Sequence, residues 1–322
     1  MIRRKMNLKK TKGIHHISAI IGHPQENIAF YTRVLGLRLV KRTVNFDNPG
    51  TYHFYLGDEK GTPGTIITFF PWPHAKYKGK IGGGQVGVTS YVIPFGTMSF
   101  WENRLKELFI PYKKSARFGE QYLQFVDPHG LHLELVERNE GKRNEWGVNG
   151  ITSEVAIKGL GGALLLSTDP ERTSEMVYKV LGLDFVGEDN DYIRFRSQDD
   201  LGNIIDIKKH PVPEGRMGVG TVHHIAWRTD ERTDQVEWKK LIENAGYQVT
   251  DVKDRNYFHS IYFREPGETL FEIATDGPGF LIDEPFEHLG EELKLPSQFK
   301  HLQEKIETDL LPIKVPVAIN ND

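Results

Sequence analysis

A short apolar strand carrying a His-His step occurs twice in this chain, as Gly13-Ile14-His15-His16-Ile17 and as Thr221-Val222-His223-His224-Ile225. A segment that recurs so far along a chain points to repeated supersecondary units that bury their apolar faces against one another. Other echoes agree. Tyr31-Thr32-Arg33-Val34-Leu35-Gly36-Leu37-Arg38-Leu39-Val40 returns as Tyr178-Lys179-Val180-Leu181-Gly182-Leu183-Asp184-Phe185-Val186. Each reads as a helix end, a glycine stop and a strand. Pro128 leads to Glu134 at the spacing with which Pro266 leads to Glu272, and Gly64-Thr65-Ile66-Ile67-Thr68 matches Gly202-Asn203-Ile204-Ile205-Asp206.

The echoes divide the chain into four units of one plan: a starting strand, a helix, then two or three strands, the last after a Gly or Pro turn. Starting strands are expected near 14–20, 87–93, 160–167 and 221–228, helices near 25–34, 97–109, 170–180 and 231–245. Closing strands are expected near 64–70, 130–137, 202–208 and 269–274, which makes the fold α+β. Units one and two form a first half, 13–137, and units three and four a second, 153–276. The polar, Gly-containing stretch 138–152 is the linker. The extension 277–322 is rich in Pro and charge, with a helix near 296–309. It is expected to wrap the outside or to pair two copies into a homo-oligomer.

Composition removes several classes. With 38% hydrophobic and 26% charged residues, the chain can bury a core and stay in solution. A formal net charge of −3 without a basic block argues against a nucleic-acid partner. The absence of cysteine excludes disulfides, thiolate ligands and thiol nucleophiles. Met1 to Lys10 is basic but lacks an apolar core, so no secretory signal is expected, and no run of 18 apolar residues suggests a membrane span. The expected address is the cytoplasm.

The chemistry lies in the repeated strands. Two imidazoles from the His-His steps and one carboxylate from Thr269-Leu270-Phe271-Glu272-Ile273 make a set of metal ligands. Imidazole with carboxylate and no thiolate suits non-heme Fe(II), and three ligands leave coordination positions open. Strict alternation along a strand would send the two histidines of each pair to opposite faces. The pattern is equivalent in both pairs, so the same face is used twice, but periodicity does not say which.

Four β-α-β-β-β units with His near a first strand and Glu on a last strand resemble the vicinal oxygen chelate superfamily. The whole chain is most similar to its hydroquinone ring-cleaving dioxygenases, of the chlorohydroquinone 1,2-dioxygenase and methylhydroquinone-resistance types. The resemblance is carried by the first His-His strand, Leu39 to Asp47, Gly61 to Pro71, Arg117 to Tyr122, Val222 to Ala226 and Phe271 to Ala274. It implies two vicinal-oxygen-chelate barrels of mixed sheet built from four βαβββ modules. The metal ligands implied are His16, His224 and Glu272, so that units one and four face each other around one metal.

The resemblance further implies Fe(II), with Mn(II) accepted by the same ligands, and a small aromatic diol and O2 as partners. The activity implied is ring opening that detoxifies hydroquinones and quinones. Arg255 and Tyr262 would line the pocket, and His15 and His223 would carry protons or orient the ligands. Thr68 stands where a fourth ligand would be needed, which speaks against a glyoxalase-like isomerase. Units two and three hold Glu134 and Asp206 at closing positions but no histidine on their starting strands, so no second metal is expected. The alternatives are an extradiol catechol dioxygenase and a non-catalytic protein that sequesters an aromatic. More modest roles stand beside these: Arg255 paired with Asp251 or Asp254, Tyr262 as a core aromatic, and His15 and His223 as packing.

Overall fold

Each unit folds as β-α-β-β-β. Unit one consists of β1 (Ile14–Ile21), α1 (Pro24–Ala29), β2 (Arg38–Val44), β3 (Tyr52–Gly57) and β4 (Ile66–Pro71). Unit two consists of β5 (Gln85–Pro94), α2 (Met98–Glu107), β6 (Tyr112–Arg117), β7 (Glu120–Val126) and β8 (His132–Arg138). Unit three has β9 (Gly159–Leu166), α3 (Pro170–Glu175), β10 (Asp184–Asp189), β11 (Tyr192–Arg196) and β12 (Ile204–Lys208). Unit four has β13 (Thr221–Thr229), α4 (Arg232–Asn244), β14 (Lys253–Asp254), β15 (Phe258–Arg264) and β16 (Leu270–Pro278). The extension carries a 3-10 turn, Ser297–Leu302, running into α5 (Gln303–Asp309). This computed structural model describes residues 9–315; the first eight residues of the basic N-terminal stretch and the end of the extension, 316–322, lie outside the described residues. Among the described residues no helix is long and apolar enough to cross a membrane.

Local chemistry explains the echoes. His23 and Asp169 cap α1 and α3, accepting from the backbone N–H of Gln25 and Arg172 at 3.2 Å, and Pro24 and Pro170 follow with φ already helical. Both helices widen into a π-type turn, Phe30–Val34 and Met176–Val180. Both then stop at a left-handed glycine, Gly36 with φ 72° and Gly182 with φ 75°.

The units do not pair in chain order. One eight-stranded sheet runs β14-β15-β16-β13-β1-β4-β3-β2 and joins unit four to unit one. The other runs β10-β11-β12-β9-β5-β8-β7-β6 and joins unit three to unit two. Within every unit the starting strand is parallel to the closing strand. At each seam two starting strands meet antiparallel, β1 with β13 and β5 with β9. These are the two curled, mixed half-barrels of a vicinal-oxygen-chelate fold. One large core, with Tyr31, Trp101, Trp227 and Trp238 fully buried, packs the helices and both sheets. A smaller cluster around Val40, Tyr55, Ile66, Ala226 and Phe258 lies on the face of the first sheet that carries His16.

In the second sheet the closing-strand carboxylates meet arginine. Glu134 accepts from Arg117 (Nη1 at 3.0 Å), Ser90 and Gln124, and Asp206 accepts from Arg194 (2.7 and 2.9 Å) and from Arg117. Both carboxylates are buried. Removing one member of a buried ion pair leaves the partner charged and dry, which costs about 3–5 kcal/mol. Asp206→Ala is therefore expected to lower the urea unfolding free energy by about that amount; a loss below about 1 kcal/mol would mean the network is solvated.

Glu120 adds a pH dependence. Burial disfavours its charge, but Arg138, Tyr122 and the charge of Arg194 outweigh burial and draw its pKa from 4.5 down to about 2. A depressed carboxyl pKa contributes stability above the unfolded value and loses it as pH falls through the folded one. Stability is expected to decline between about pH 4.5 and pH 2, and Glu120→Gln to flatten that limb in acid titrations followed by circular dichroism.

Candidate metal centre

His16 on β1, His224 on β13 and Glu272 on β16 converge at the seam of the first sheet. Register brings them there: His16 and Glu272 both lie opposite Ala226, and His224 lies two residues back on the same face, opposite Ser18. The two Nε2 atoms are 3.2 Å apart, and Glu272 Oε2 is 2.8 Å from His224 Nε2 and 3.4 Å from His16 Nε2. All three side chains are buried, and among the described residues they form a grouping close enough to hold a metal ion.

Strict alternation fails at both His-His steps. The β1–β13 register shifts between Ile14 and His16, and again between Ser18 and Ala19 where His224 is followed by Val222. His15 and His223 are thus the extra residues of two bulges, one on each strand. A bulge re-aims its side chains, so the two rings of each pair approach instead of diverging. His15 Nδ1 is 2.9 Å from His16 Nδ1, and His223 Nδ1 is 2.7 Å from His224 Nδ1.

These contacts set the tautomers. His15 Nε2 lies 3.1 Å from the Thr275 carbonyl, which can only accept, so His15 carries its proton on Nε2. Its Nδ1 then accepts from His16 Nδ1–H, which leaves His16 Nε2 with a free lone pair. The matching contact in unit four lets His224 donate from Nδ1 and aim Nε2 the same way. Burial, followed by the neighbouring imidazole, holds His15 well below the ordinary histidine range and His223 near a pKa of about 3, so both remain neutral.

The three converging atoms have no hydrogen to share. Ser260 donates to Glu272 Oε1, but Glu272 Oε2 is fully buried and has no hydrogen-bond partner. The short His224–Glu272 contact is therefore read as two electron-pair donors facing one place. Burial disfavours the Glu272 charge, and only a proton or a cation shared between it and the two imidazoles draws its pKa well below the usual carboxylate range. Burial also lowers His224, which keeps that ring neutral. An ionised carboxylate and imidazole lone pairs aimed together fit a divalent cation.

Unit one repeats this geometry with other residues. Thr68 lies opposite Ser18 as Glu272 lies opposite Ala226, and Tyr55 lies opposite Thr68 as Tyr262 lies opposite Glu272. Thr68 Oγ1 meets Ser18 Oγ at 2.6 Å and His53 Nε2 at 3.0 Å, while His53 Nδ1 meets the Tyr55 hydroxyl at 2.9 Å. His53 and Tyr55 were not found by sequence reasoning. The signal was the internal repeat itself, hidden because the β3–β4 connection is longer than its β15–β16 counterpart.

A cavity of about 220 Å3 opens on His16 and His224. Its walls are Phe46, Phe70, Trp72 and Phe258, with polar edges at His53, Tyr55, Arg255 and Tyr262, and His223 at the rim. Larger clefts exist elsewhere, such as one of about 470 Å3 beside Tyr112 and Phe125, but that one is lined by none of His16, His224 and Glu272. Arg255 pairs with neither Asp251 nor Asp254: it reaches Asp47 at 2.9 Å across the cavity mouth and the Tyr262 hydroxyl at 3.3 Å. Burial works against the Arg255 charge, but Tyr262 and Asp47 outweigh it and the pKa rises. Burial and the nearby Glu272 raise Tyr262, so its phenol stays protonated.

Paired starting strands around a His–His–Glu set define a class, and sequence comparison agrees with it. A model of the glyoxalase/bleomycin resistance protein/dioxygenase superfamily matches residues 13–140 and 159–273, and the chain belongs to that superfamily. Its relatives are more particular. The chain is 60% identical to the candidate ring-cleaving dioxygenase MhqO of Bacillus subtilis, over 95% of this chain and 98% of that one. It is 34% identical to the chlorohydroquinone/hydroquinone 1,2-dioxygenase of Sphingobium indicum, over 92% and 95%. A crystal structure of a candidate dioxygenase from Bacillus subtilis superposes with a TM-score of 0.94 at 59% identity, covering 96% of this chain and 99% of that one. These place the chain among the ring-cleaving dioxygenases, enzymes of a superfamily whose dioxygenases use a metal.

His15→Ala removes the acceptor that fixes His16, and metal affinity measured by chelator competition is expected to fall about 10–100-fold. His15→Gln, whose amide oxygen accepts the same proton, is expected to keep more of it. Equal affinity in wild type and His15→Ala would refute the lock.

Proposed function

We propose that the chain is an Fe(II)-dependent dioxygenase that opens the ring of a hydroquinone with O2, with His16, His224 and Glu272 as the metal ligands. The observation that carries this reading is the three-residue set whose two histidines open onto an aromatic cavity, with Thr68 at the place of a fourth ligand. Two imidazoles and one carboxylate with open positions are the donor set of non-heme iron oxygenases, and Mn(II) is accepted by the same donors. Bound there, iron(II) supplies Lewis acidity and the one-electron chemistry that lets dioxygen react with an aromatic ring.

The residues divide the remaining work. Phe46, Phe70, Trp72 and Phe258 receive one aromatic ring and exclude water from it. Arg255 presents a permanent positive charge beside Tyr262, where it steadies oxyanion charge that develops as the ring opens. Tyr262 donates a hydrogen bond from its protonated phenol. Tyr55 and His53, held in turn by Thr68 and Ser18, form a hydrogen-bonded chain that orients a bound hydroxyl through the Tyr55 oxygen. His15 and His223 orient the ligands: their Nδ1 atoms are engaged, which leaves no lone pair to act as a base.

The relative named for chlorohydroquinone and hydroquinone favours a para-diol over the catechol of an extradiol enzyme. Removal of reactive hydroquinones and quinones follows as the cellular use. The deciding experiment is oxygen uptake by anaerobically Fe(II)-loaded protein offered methylhydroquinone and catechol in parallel. Uptake with methylhydroquinone, matched by loss of aromatic absorbance, is the expected result, and Glu272→Ala is expected to lose bound metal and uptake together. Uptake with catechol alone would move the assignment to the ortho-diol enzyme. No uptake despite bound iron would leave a protein that sequesters an aromatic.

A further inference from the structure

The segment after β16 packs on unit one through groups that also support the cavity wall. Phe280 is buried, its ring centroid 5.0 Å from Tyr55 and 5.1 Å from Tyr257. It lies so close to Gly61 that a Cβ there would meet it at 2.7 Å. Asp283 accepts from the Tyr257 hydroxyl at 3.0 Å and from Lys41 Nζ. Lys41, on β2, is fully buried, pairs also with Glu284, and holds its ammonium 5.1 Å above the Tyr257 ring. Glu284 is itself fixed by the backbone N–H groups of Gly290 and Glu292. Tyr257 donates its own N–H to the Arg255 carbonyl at 2.7 Å and precedes Phe258. Tyr55, Arg255 and Phe258 line the cavity, whereas Phe280 and Asp283 do not.

We propose that Phe280–Glu284 is a positioning segment for the aromatic substrate: Asp283, anchored by Lys41, fixes Tyr257 and with it the Arg255–Phe258 turn, while Phe280 fixes Tyr55. An ammonium taken wholly out of water and met by two carboxylates is an expensive way to tie down a surface strap, and its contacts lead to two walls of the cavity. The dioxygenase reading enters only through the identity of the substrate.

Phe280→Ala and Asp283→Asn in the full-length, Fe(II)-loaded protein test this. Bound metal per chain is expected to stay at the wild-type level. kcat/KM for methylhydroquinone is expected to fall about tenfold, through a raised KM and, because Arg255 acts on charge that develops during the reaction, through kcat as well. Backbone hydrogen exchange should quicken at Tyr55, Leu56 and Arg255 to Phe258, and stay unchanged on β13 and on Phe271–Ile273 of β16. Asp283→Glu should restore most of the KM, and Phe280→Leu, which keeps much of the buried volume, should show the same changes at smaller size if the alanine variant does not fold. Wild-type KM and exchange in the folded variants overturn the proposal, as does a parallel loss of kcat and metal. A wild-type protein that turns over neither diol would overturn the dioxygenase reading, and the exchange pattern would still decide the positioning role.

Discussion

Strands β1 and β13 lie far apart in the chain and meet antiparallel, and the candidate metal centre depends on how they meet. Each contributes one bulge, and each bulge turns the first histidine of its pair toward the second. The outer imidazole becomes the acceptor that fixes the inner one, and both inner Nε2 atoms face the same point as Glu272 Oε2. A one-residue slip of this seam would turn His16 to the opposite face and separate the ligands. The hydrogen-bonded ladder is therefore what converts two unremarkable dipeptides into a grouping that could hold a metal.

The same plan, used four times, gives closing strands with three different solutions to one electrostatic problem. A carboxylate buried on a sheet face needs a cation. In units two and three the cation is a guanidinium, with Arg117 and Arg194 bound to Glu134 and Asp206. In unit four Glu272 has two imidazoles and an orphaned oxygen, the arrangement that suits a metal. Unit one avoids the problem with Thr68, whose hydroxyl is satisfied by Ser18 and His53. Relatives that differ at the Thr68 or Arg117 position would be expected to differ in where charge is placed, not in the fold.

Much of this was legible from the repeats. The starting strands, the glycine stops at Gly36 and Gly182, and the convergence of one histidine from each pair with Glu272 were foreshadowed by short motifs repeated along the chain, although which histidine of each pair came only from the family resemblance. The orientation of His15 and His223 was not legible, because a bulge leaves no mark in a pattern of apolar residues and the alternation rule points the wrong way. His53 and Tyr55 were hidden by a connection of unequal length, which put the equivalent residues of units one and four out of step. The partner of Arg255 was likewise beyond local reasoning, since Asp47 reaches it from another unit. The role of Lys41 could not be read either, because a lysine within β2 looks like a solvated edge until Asp283 and Glu284 arrive from the far end of the chain.

The circular order of the units has a consequence for how the protein is made. Units two and three are neighbours in sequence and can complete their sheet while the chain is still being synthesised, since synthesis favours N-terminal and local partners. Unit one emerges first, yet its edge at β1 waits for β13, and its β2 waits for Asp283 and Glu284. The earliest of the four units is thus the last to be enclosed. A ribosome that stalls before unit four releases a chain with an exposed apolar strand and one histidine pair, able neither to shield its edge nor to assemble the ligand set.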